Sequence, residues 1–320
     1  MNKTHTSAHV HMIVTHIRPH VDEIVAIVLL QHYGKKHFPG IVDARIEFWD
    51  AGSRTQDGKD WKQHLKEGHL LVGLGGSCFD EHPSVNTERK EEHCAATLVA
   101  KYLGIEDRPE LEQLLRYTLV NDTKGGNNIF DLAALITLGN KRWFDSNPQE
   151  ILEWAMQPVV WYLEKQIKFF TKTREEFEKF SNIINCIYKG REITIVAIQS
   201  DDPDVGAYSR SQYGVNAAIV IQQNYKGQVM ISSQKRAKIC FNEVIIELRK
   251  KEARFKNISY SGLKLDDDGT IPEIPEWYYD KPAARILNGA LSAPNVPVTK
   301  IPLEEIVKLV QRELNKNFKK

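Results

Sequence analysis

The spacing of apolar positions along this 320-residue chain changes several times, and the changes lay out its elements. Residues 9–15 (HVHMIVT) form an apolar run of strand length. Residues 22–33 (DEIVAIVLLQHY) form a longer run, apolar on most sides and stopped by Gly34, which predicts a helix. Strands are predicted again at 44–50 (ARIEFWD) and at 69–74 (HLLVGL), the latter running into Gly75 and Gly76. A strand, a helix and two further strands in this order predict a parallel α/β sheet.

A block of helical spacing follows over residues 88–103, 109–121, 129–138 and 148–188, with Pro109 suited to a first helical turn. The last stretch reads as two helices broken near Thr171-Lys172-Thr173. Strand character returns at 192–199, 215–223 and 227–232, and Asn224-Tyr225-Lys226-Gly227 predicts a hairpin turn between the last two. Helices are predicted at 241–255 and 302–314, and the stretch 265–277, rich in Pro and Asp, reads as a surface loop. The expected architecture is α/β. Residues 1–190 form a parallel-sheet domain with helices on both faces and a helical connector, and residues 191–320 form a smaller mixed α/β lobe.

Composition narrows the function classes without choosing one. The chain is 42% hydrophobic and 27% charged with a formal net charge of +1, so no global field argues for a long nucleic acid or a membrane as partner. No run of 18 apolar residues appears, the opening MNKTHTSAHVH lacks an apolar stretch, and Cys78, Cys94, Cys186 and Cys240 lie far apart. These features predict a cytoplasmic protein with reduced thiols and neither signal peptide nor membrane span. One bias does change the picture: all 11 histidines fall within residues 5–93, so imidazole chemistry, if present, belongs to the N-terminal third.

Three polar groups sit where a parallel sheet gathers ligands, beyond the carboxyl ends of its strands. His16, His20 and Asp22 occupy a strand-to-helix junction with the spacing H-x-x-x-H-x-D. Imidazole and carboxylate together suit Mn²⁺, Fe²⁺ or Zn²⁺. The bland alternative makes Asp22 a helix cap and leaves the histidines on the surface. Glu23 is expected to serve the helix start or to support a ligand from behind it. Asp80, Glu81 and His82 follow the glycine-rich turn of GLGGSCFDEHPS, and Asp122 ends an otherwise apolar helix, where its charge opposes the helix dipole unless a cation balances it.

In order, THIRPHVDE, FDEHPS and NDTKGG resemble the motif series of the DHH phosphoesterase superfamily over roughly residues 10–165. The H-x-D-E ending and the glycine turn are similar to the branch named for the melanocyte proliferating gene product, described as a metal-dependent hydrolase and as an exonuclease. The resemblance implies that His16 and His20 bind one metal and Asp22 the other, with Mn²⁺ the expected ion and Mg²⁺, Zn²⁺ or Fe²⁺ as substitutes. It also makes Asp122 a ligand, Asp80 the residue that holds the loop, and His82 a proton donor facing the scissile phosphate. The chain departs from the pattern twice. Glu81 stands where the family has a ligating histidine, and Gly73 stands where it has an aspartate bridging two metals, a loss that Asp50, or less readily Asp57, is expected to offset.

The second lobe resembles the family's substrate-gripping lobe loosely. Ser232, Ser233, Lys235 and Arg236 end a strand with hydroxyls and cations suited to an anion. Arg285, Asn288 and Gly289 stand where such lobes carry a glycine-rich substrate loop. The expected activity is divalent-metal-dependent hydrolysis of a phosphodiester in a nucleotide or short single-stranded oligonucleotide, by metal-activated water. A nucleotide-binding protein without turnover, a metal-dependent hydrolase of another bond, and an interaction protein docking through residues 88–188 are the alternatives. A homodimer is compatible with all of them.

Overall fold

The computed structural model describes residues 9–52, 54–82, 92–126, 128–142, 147–289 and 293–316. The chain divides into two units, Met1–Ile167 and Lys168–Lys320. The first contains β1 (Met12–His16), α1 (Val21–Tyr33), β2 (Arg45–Trp49), α2 (Trp61–Lys66), β3 (His69–Leu71), α3 (Ala95–Leu103), α4 (Glu112–Lys124), α5 (Leu132–Arg142) and α6 (Pro148–Lys168). Its three strands are parallel in the order β2-β1-β3, with Met12 opposite Arg45 on one side and His69 on the other.

Every β1 residue is buried because both faces of the sheet are covered. Ile13 joins the large core built from α1 and from α3, α4, α5 and α6 (Val99, Leu115, Ile136, Leu152, Leu163). Met12 and Val14 point the other way, to Leu71 and Leu74, with Trp49 and Trp61 packed against them. The alternation is the strand period of two. Helix α1 buries the continuous stretch Val21–Leu30, which explains its all-round apolar sequence. The helical block supplies half of this unit's core. The expected helix start at residues 88–91 lies outside the described residues.

In the second unit, a π-helical turn at Phe169–Thr173 joins α6 to α7 (Arg174–Phe180), where a break was expected. The unit continues with β4 (Asn182–Tyr188), β5 (Arg191–Gln199), α8 (Val205–Arg210), β6 (Ile219–Gln223), β7 (Val229–Ser233), α9 (Asn242–Phe255), β8 (Gly269–Ile271), β9 (Ile274–Asp280), β10 (Arg285–Leu287) and α10 (Leu303–Lys316). Seven strands form one mixed sheet in the order β4-β5-β6-β7-β10-β9-β8. Only β5 and β6 are parallel. Val244, Leu248, Ile306 and Val310 of α9 and α10 pack on one face, and Phe177 and Tyr208 of α7 and α8 on the other.

Two expectations fail here for identifiable reasons. The boundary near 190 moves upstream because β4, taken for helix, pairs along its whole length with β5. Lys189 and Gly190 both have positive φ, at 49° and 76°, which is the two-residue hairpin that matches strand twist. The supposed loop at 265–277 instead contains β8 and the start of β9, joined through Pro272-Glu273. The fully buried Arg249 stabilises it by donating hydrogen bonds to the carbonyls of Leu265, Asp267, Gly269 and Trp277. The second unit thus carries the larger sheet. Among the described residues no helix is long and apolar enough to cross a membrane.

Candidate metal centre

Because β1 and β3 run parallel, their carboxyl ends lie on one edge of the sheet, and a polar segment follows each. His16 closes β1 and is buried. Its Nδ1 accepts the Arg18 backbone N–H at 3.3 Å, which leaves Nε2 as the protonated nitrogen facing Glu23 Oε1 at 3.0 Å. The other Glu23 oxygen accepts the His20 backbone N–H at 2.7 Å, and the His20 ring stands edge-on to His16 with centroids 5.1 Å apart. Burial pushes both groups toward neutrality, but the ion pair outweighs it. Glu23 is held down at about 2 by His16 and His20, and His16 is raised by Glu23.

Glu23 is the residue that sequence reasoning undervalued. Gly73 has φ +70°, and a Cβ built there would lie 2.6 Å from Glu23 Cγ and 2.7 Å from Glu23 Oε1. The space beside position 73 is therefore filled by the Glu23 carboxylate, delivered from α1 instead of from the strand end. Asp50, expected to offset the glycine, does not join the cluster: it is exposed and bonded to Gln56. Asp57 lies beside His64 and Lys59 instead.

Asp22, Glu81 and Asp122 form the acidic heart of the site, each offering an oxygen within 4.8 Å of the others. Asp22 sits in the first turn of α1 and accepts the Ala95 N–H at the start of α3, at 3.3 Å. Burial, then the neighbouring Glu23, Glu81 and Asp122 carboxylates, lift its carboxyl well above the ordinary range. Glu81 is 1% exposed, and neither of its carboxylate oxygens makes a hydrogen bond. Burial raises it to about 7. Two buried carboxylates pushed upward beside a third are a costly arrangement, and a divalent cation would remove that cost.

Asp80 clasps the intervening loop. One of its oxygens accepts the Gly76 N–H at 2.8 Å, and the other meets the His82 N–H and His82 Nδ1, each at 3.0 Å. The bond to Asp80, with Glu81 3.4 Å from the same ring nitrogen, raises His82 to about 9 against a smaller desolvation effect. Its side chain is half exposed and protonated at neutral pH. Two sets of potential ligands, His16-His20-Glu23 and Asp80-Glu81-His82, flank the three carboxylates. Oxygen and imidazole donors without sulfur fit Mn²⁺, Fe²⁺ or Zn²⁺, and the carboxylates Asp22, Glu81 and Asp122 alone would also accept Mg²⁺.

A cavity of about 530 Å³ opens beside His20, Asp22 and Asp122, lined further by Asn121, Asn128 and Asp131. That lies within the usual range for small-molecule sites. A larger concavity of about 620 Å³ between α4 and α6 has Arg116 and Asp131 as its only charged groups, so the chemistry favours the smaller one.

The candidate substrate residues of the second unit divide. Asn288 is 1% exposed and wholly engaged: its Nδ2 donates to the Glu276 and Pro297 carbonyls, each at 2.8 Å, and its Oδ1 accepts the Thr299 N–H at 3.1 Å. Gly289, at φ +76°, packs so closely on Gln228 that a Cβ would lie 2.4 Å from its amide nitrogen. Both residues shape the β10 exit and are not free to meet a ligand. Ser232 is buried and accepts a hydrogen bond from Arg210 Nη1 at 2.8 Å. Ser233 contacts the Ala284 carbonyl, and exposed Arg236 bonds to Gln234 and Asn216. Lys235 and Arg285 are exposed, and Arg285 lies opposite Ser232 in the β7–β10 register. Arg210, which the sequence did not single out, is lowered by burial and by Arg285, as two guanidiniums facing one strand require.

The fold and site define a two-unit α/β protein with a carboxylate–imidazole cluster at the carboxyl edge of a parallel sheet. No protein-family model matches the chain, and no curated protein does. Solved structures do match, among them an uncharacterized protein from Helicobacter pylori G27, 12% identical, with 96% of this chain and 100% of that one covered at a TM-score of 0.22.

Proposed function

We propose that the chain is a divalent-metal-dependent phosphoesterase of DHH type, acting on a nucleotide or short single-stranded oligonucleotide in a reducing, cytoplasmic setting. The observation that carries this reading is the meeting of Asp22, Glu81 and Asp122 within 4.8 Å, beside His82, whose Nδ1 lies 3.0 Å from Asp80. Asp22, Glu81 and Asp122 would hold one cation, with His20 and Glu23 available to a second. Glu23 takes the place of the aspartate that Gly73 lacks. A divalent ion bound there supplies Lewis-acid polarisation of a phosphoryl oxygen and a lowered pKa for a bound water.

The other steps belong to the chain's own groups. His82, oriented through Nδ1 by Asp80, donates a proton or a charge-assisted hydrogen bond to the departing oxygen. His16 fixes the Glu23 carboxylate, and the cavity beside His20, Asn121 and Asn128 offers polar edges to a base or sugar. The four cysteines form no disulfide, which suits the reducing setting.

The test pairs two variants in Mn²⁺ with a dinucleotide substrate. Asp22→Asn is expected to lose metal and at least about 100-fold in cleavage together, whereas His82→Gln keeps the metal and loses about 10²–10⁴ in kcat. A second reading, nucleotide binding without turnover, follows from the His16–Glu23 pair, which occupies two potential ligands with each other. Metal-loaded wild-type protein that binds the dinucleotide but yields no product after prolonged incubation would establish that reading and remove the first.

A further inference from the structure

Several of the clustered histidines remain outside this centre. His69 opens β3 opposite Met12, four positions along β1 from His16, or about 13 Å at strand rise. Around it, the six-residue stretch from His64 to His69 places an imidazole at each end of the α2–β3 turn and Glu67 between them. The ligand atoms of His64, Glu67 and His69 lie within 4.8 Å of one another. The two rings stack with centroids 6.0 Å apart, and Trp49 closes over both.

Backbone hydrogen bonds close the turn, Glu67 N–H to the His64 carbonyl and Gly68 N–H to the Leu65 carbonyl at 3.0 Å each, but the imidazoles inside it lack partners. His64 is 1% exposed, and neither of its ring nitrogens makes a hydrogen bond; nor does the buried Nδ1 of His69. Leaving buried imidazole nitrogens unsatisfied is unfavourable, so a ligand that engages them is favoured. His64 Nε2 stands 3.2 Å from Asp57 Oδ1 without the direction of a hydrogen bond. Two ligands on one tetrahedral ion, with bonds of about 2.1 Å, sit about 3.4 Å apart. The present counter-charge is the ammonium of Lys59, 2.8 Å from Glu67 and 3.6 Å from Asp57. Its half-exposed, flexible stem lets it swing away. Gly68, at φ +84°, lets the turn pass His11, whose Nδ1 would be 2.3 Å from a Cβ there.

We propose that His64, Glu67 and His69 form a second metal site, with Asp57, whose Oδ1 lies 3.2 Å from His64 Nε2, drawn in as the fourth ligand of a structural site for a borderline transition ion such as Zn²⁺ or Co²⁺. Two imidazoles among four ligands disfavour Mg²⁺ and Ca²⁺. The ion would tie the α2–β3 turn to the loop before α2 and satisfy the buried His64. The site stands independently of the phosphoesterase reading.

The experiment uses the full chain carrying His20→Ala and Asp22→Asn, which silence the first centre, titrated with Co²⁺ alone and followed by visible absorption. One equivalent with the intensity of tetrahedral cobalt is expected, displaced by one equivalent of Zn²⁺. His69→Gln and Glu67→Gln, each checked for folding by circular dichroism, should weaken binding at least about 100-fold, while Lys59→Ala should tighten it several-fold by removing the competing ammonium. Absence of tetrahedral cobalt, uptake untouched by His69→Gln, or weaker binding in Lys59→Ala would each overturn the proposal.

Discussion

The two units handle buried polarity differently: among the described residues most unpartnered buried polar atoms lie in the first unit, and only Gln222 Oε1 and Arg249 Nε in the second. In the second, Arg249 serves four carbonyls, Asn288 uses both its donors and its acceptor, and Glu252 accepts from Trp277 Nε1, the Thr299 hydroxyl and the Lys300 N–H. These groups fix strands and loops that carry little regular apolar pattern. In the first unit, Glu81 and His64 are buried without hydrogen bonds, and Asp22 crowds Glu81 and Asp122. Buried polar groups are normally satisfied, so the concentration of unsatisfied ones within the first unit marks where ligands belong. One unit spends its polar side chains on architecture and the other holds them ready for an incoming charge.

The largest expected effect breaks the satisfied side. Arg249→Met keeps the side-chain length but orphans four carbonyls, and should destabilise the second unit by about 3–5 kcal/mol in urea unfolding. A change below about 1 kcal/mol would mean that its network is dispensable, and the contrast between the units would collapse.

The next effect concerns the unsatisfied side and has a sign. Glu81 holds its proton to about 7 in the folded chain, against an ordinary value of 4.5. The folded state therefore binds a proton that the unfolded chain releases between these values, and stability falls as pH rises from 4.5 to 7. The full loss is on the order of 3 kcal/mol. The Asp22 carboxyl, raised for the same reason, acts in the same direction. His82, raised from 6.5 to about 9, contributes stability that is complete below 6.5 and lost through 9, so it leaves this window largely untouched. Urea midpoints at pH 4.5, 5.5 and 7 in a chelator should show the slope, and Glu81→Gln or saturating Mn²⁺ should flatten most of it. An unchanged slope in Glu81→Gln would show that its carboxyl is not the group crowded there.

What was legible in the sequence follows the range of the interactions. His16, His20 and Asp22 could be read because their relation is local, set by one strand end and one helix start. Glu23 was misread because a glutamate three residues into a helix carries the signature of a capping box, which it also satisfies. Its second task, filling the space at Gly73, joins positions 50 residues apart and leaves no mark in either neighbourhood. β4 escaped because NIINCIY has no clean alternation at a half-exposed sheet edge, and only the Lys189-Gly190 turn announces the hairpin. Asn288 before Gly289 stood where a substrate loop was expected, yet its amide is a buried brace. Polar residues betray their type in a sequence, but not the direction in which they point.

The smallest expected effect sharpens that lesson within one unit. Asp50 was the carboxylate expected to offset Gly73, with Asp57 behind it, whereas the side chain that fills the space there is Glu23; Asp50 follows a strand and Glu23 opens a helix. Asp50 is exposed and bonded to Gln56, so Asp50→Asn should change stability by less than about 0.5 kcal/mol and Mn²⁺ affinity by less than about twofold. Glu23→Gln should lower Mn²⁺ affinity about 10–100-fold, since it removes the buried charge that pairs with His16 and holds the His20 backbone. Calorimetric titration of both variants separates them. Equal effects would mean that the carboxylate at position 50 reaches the cluster once metal is present. A silent Asp50 beside a sensitive Glu23 would show that burial without a full set of partners, more than carboxylate chemistry, identifies the site.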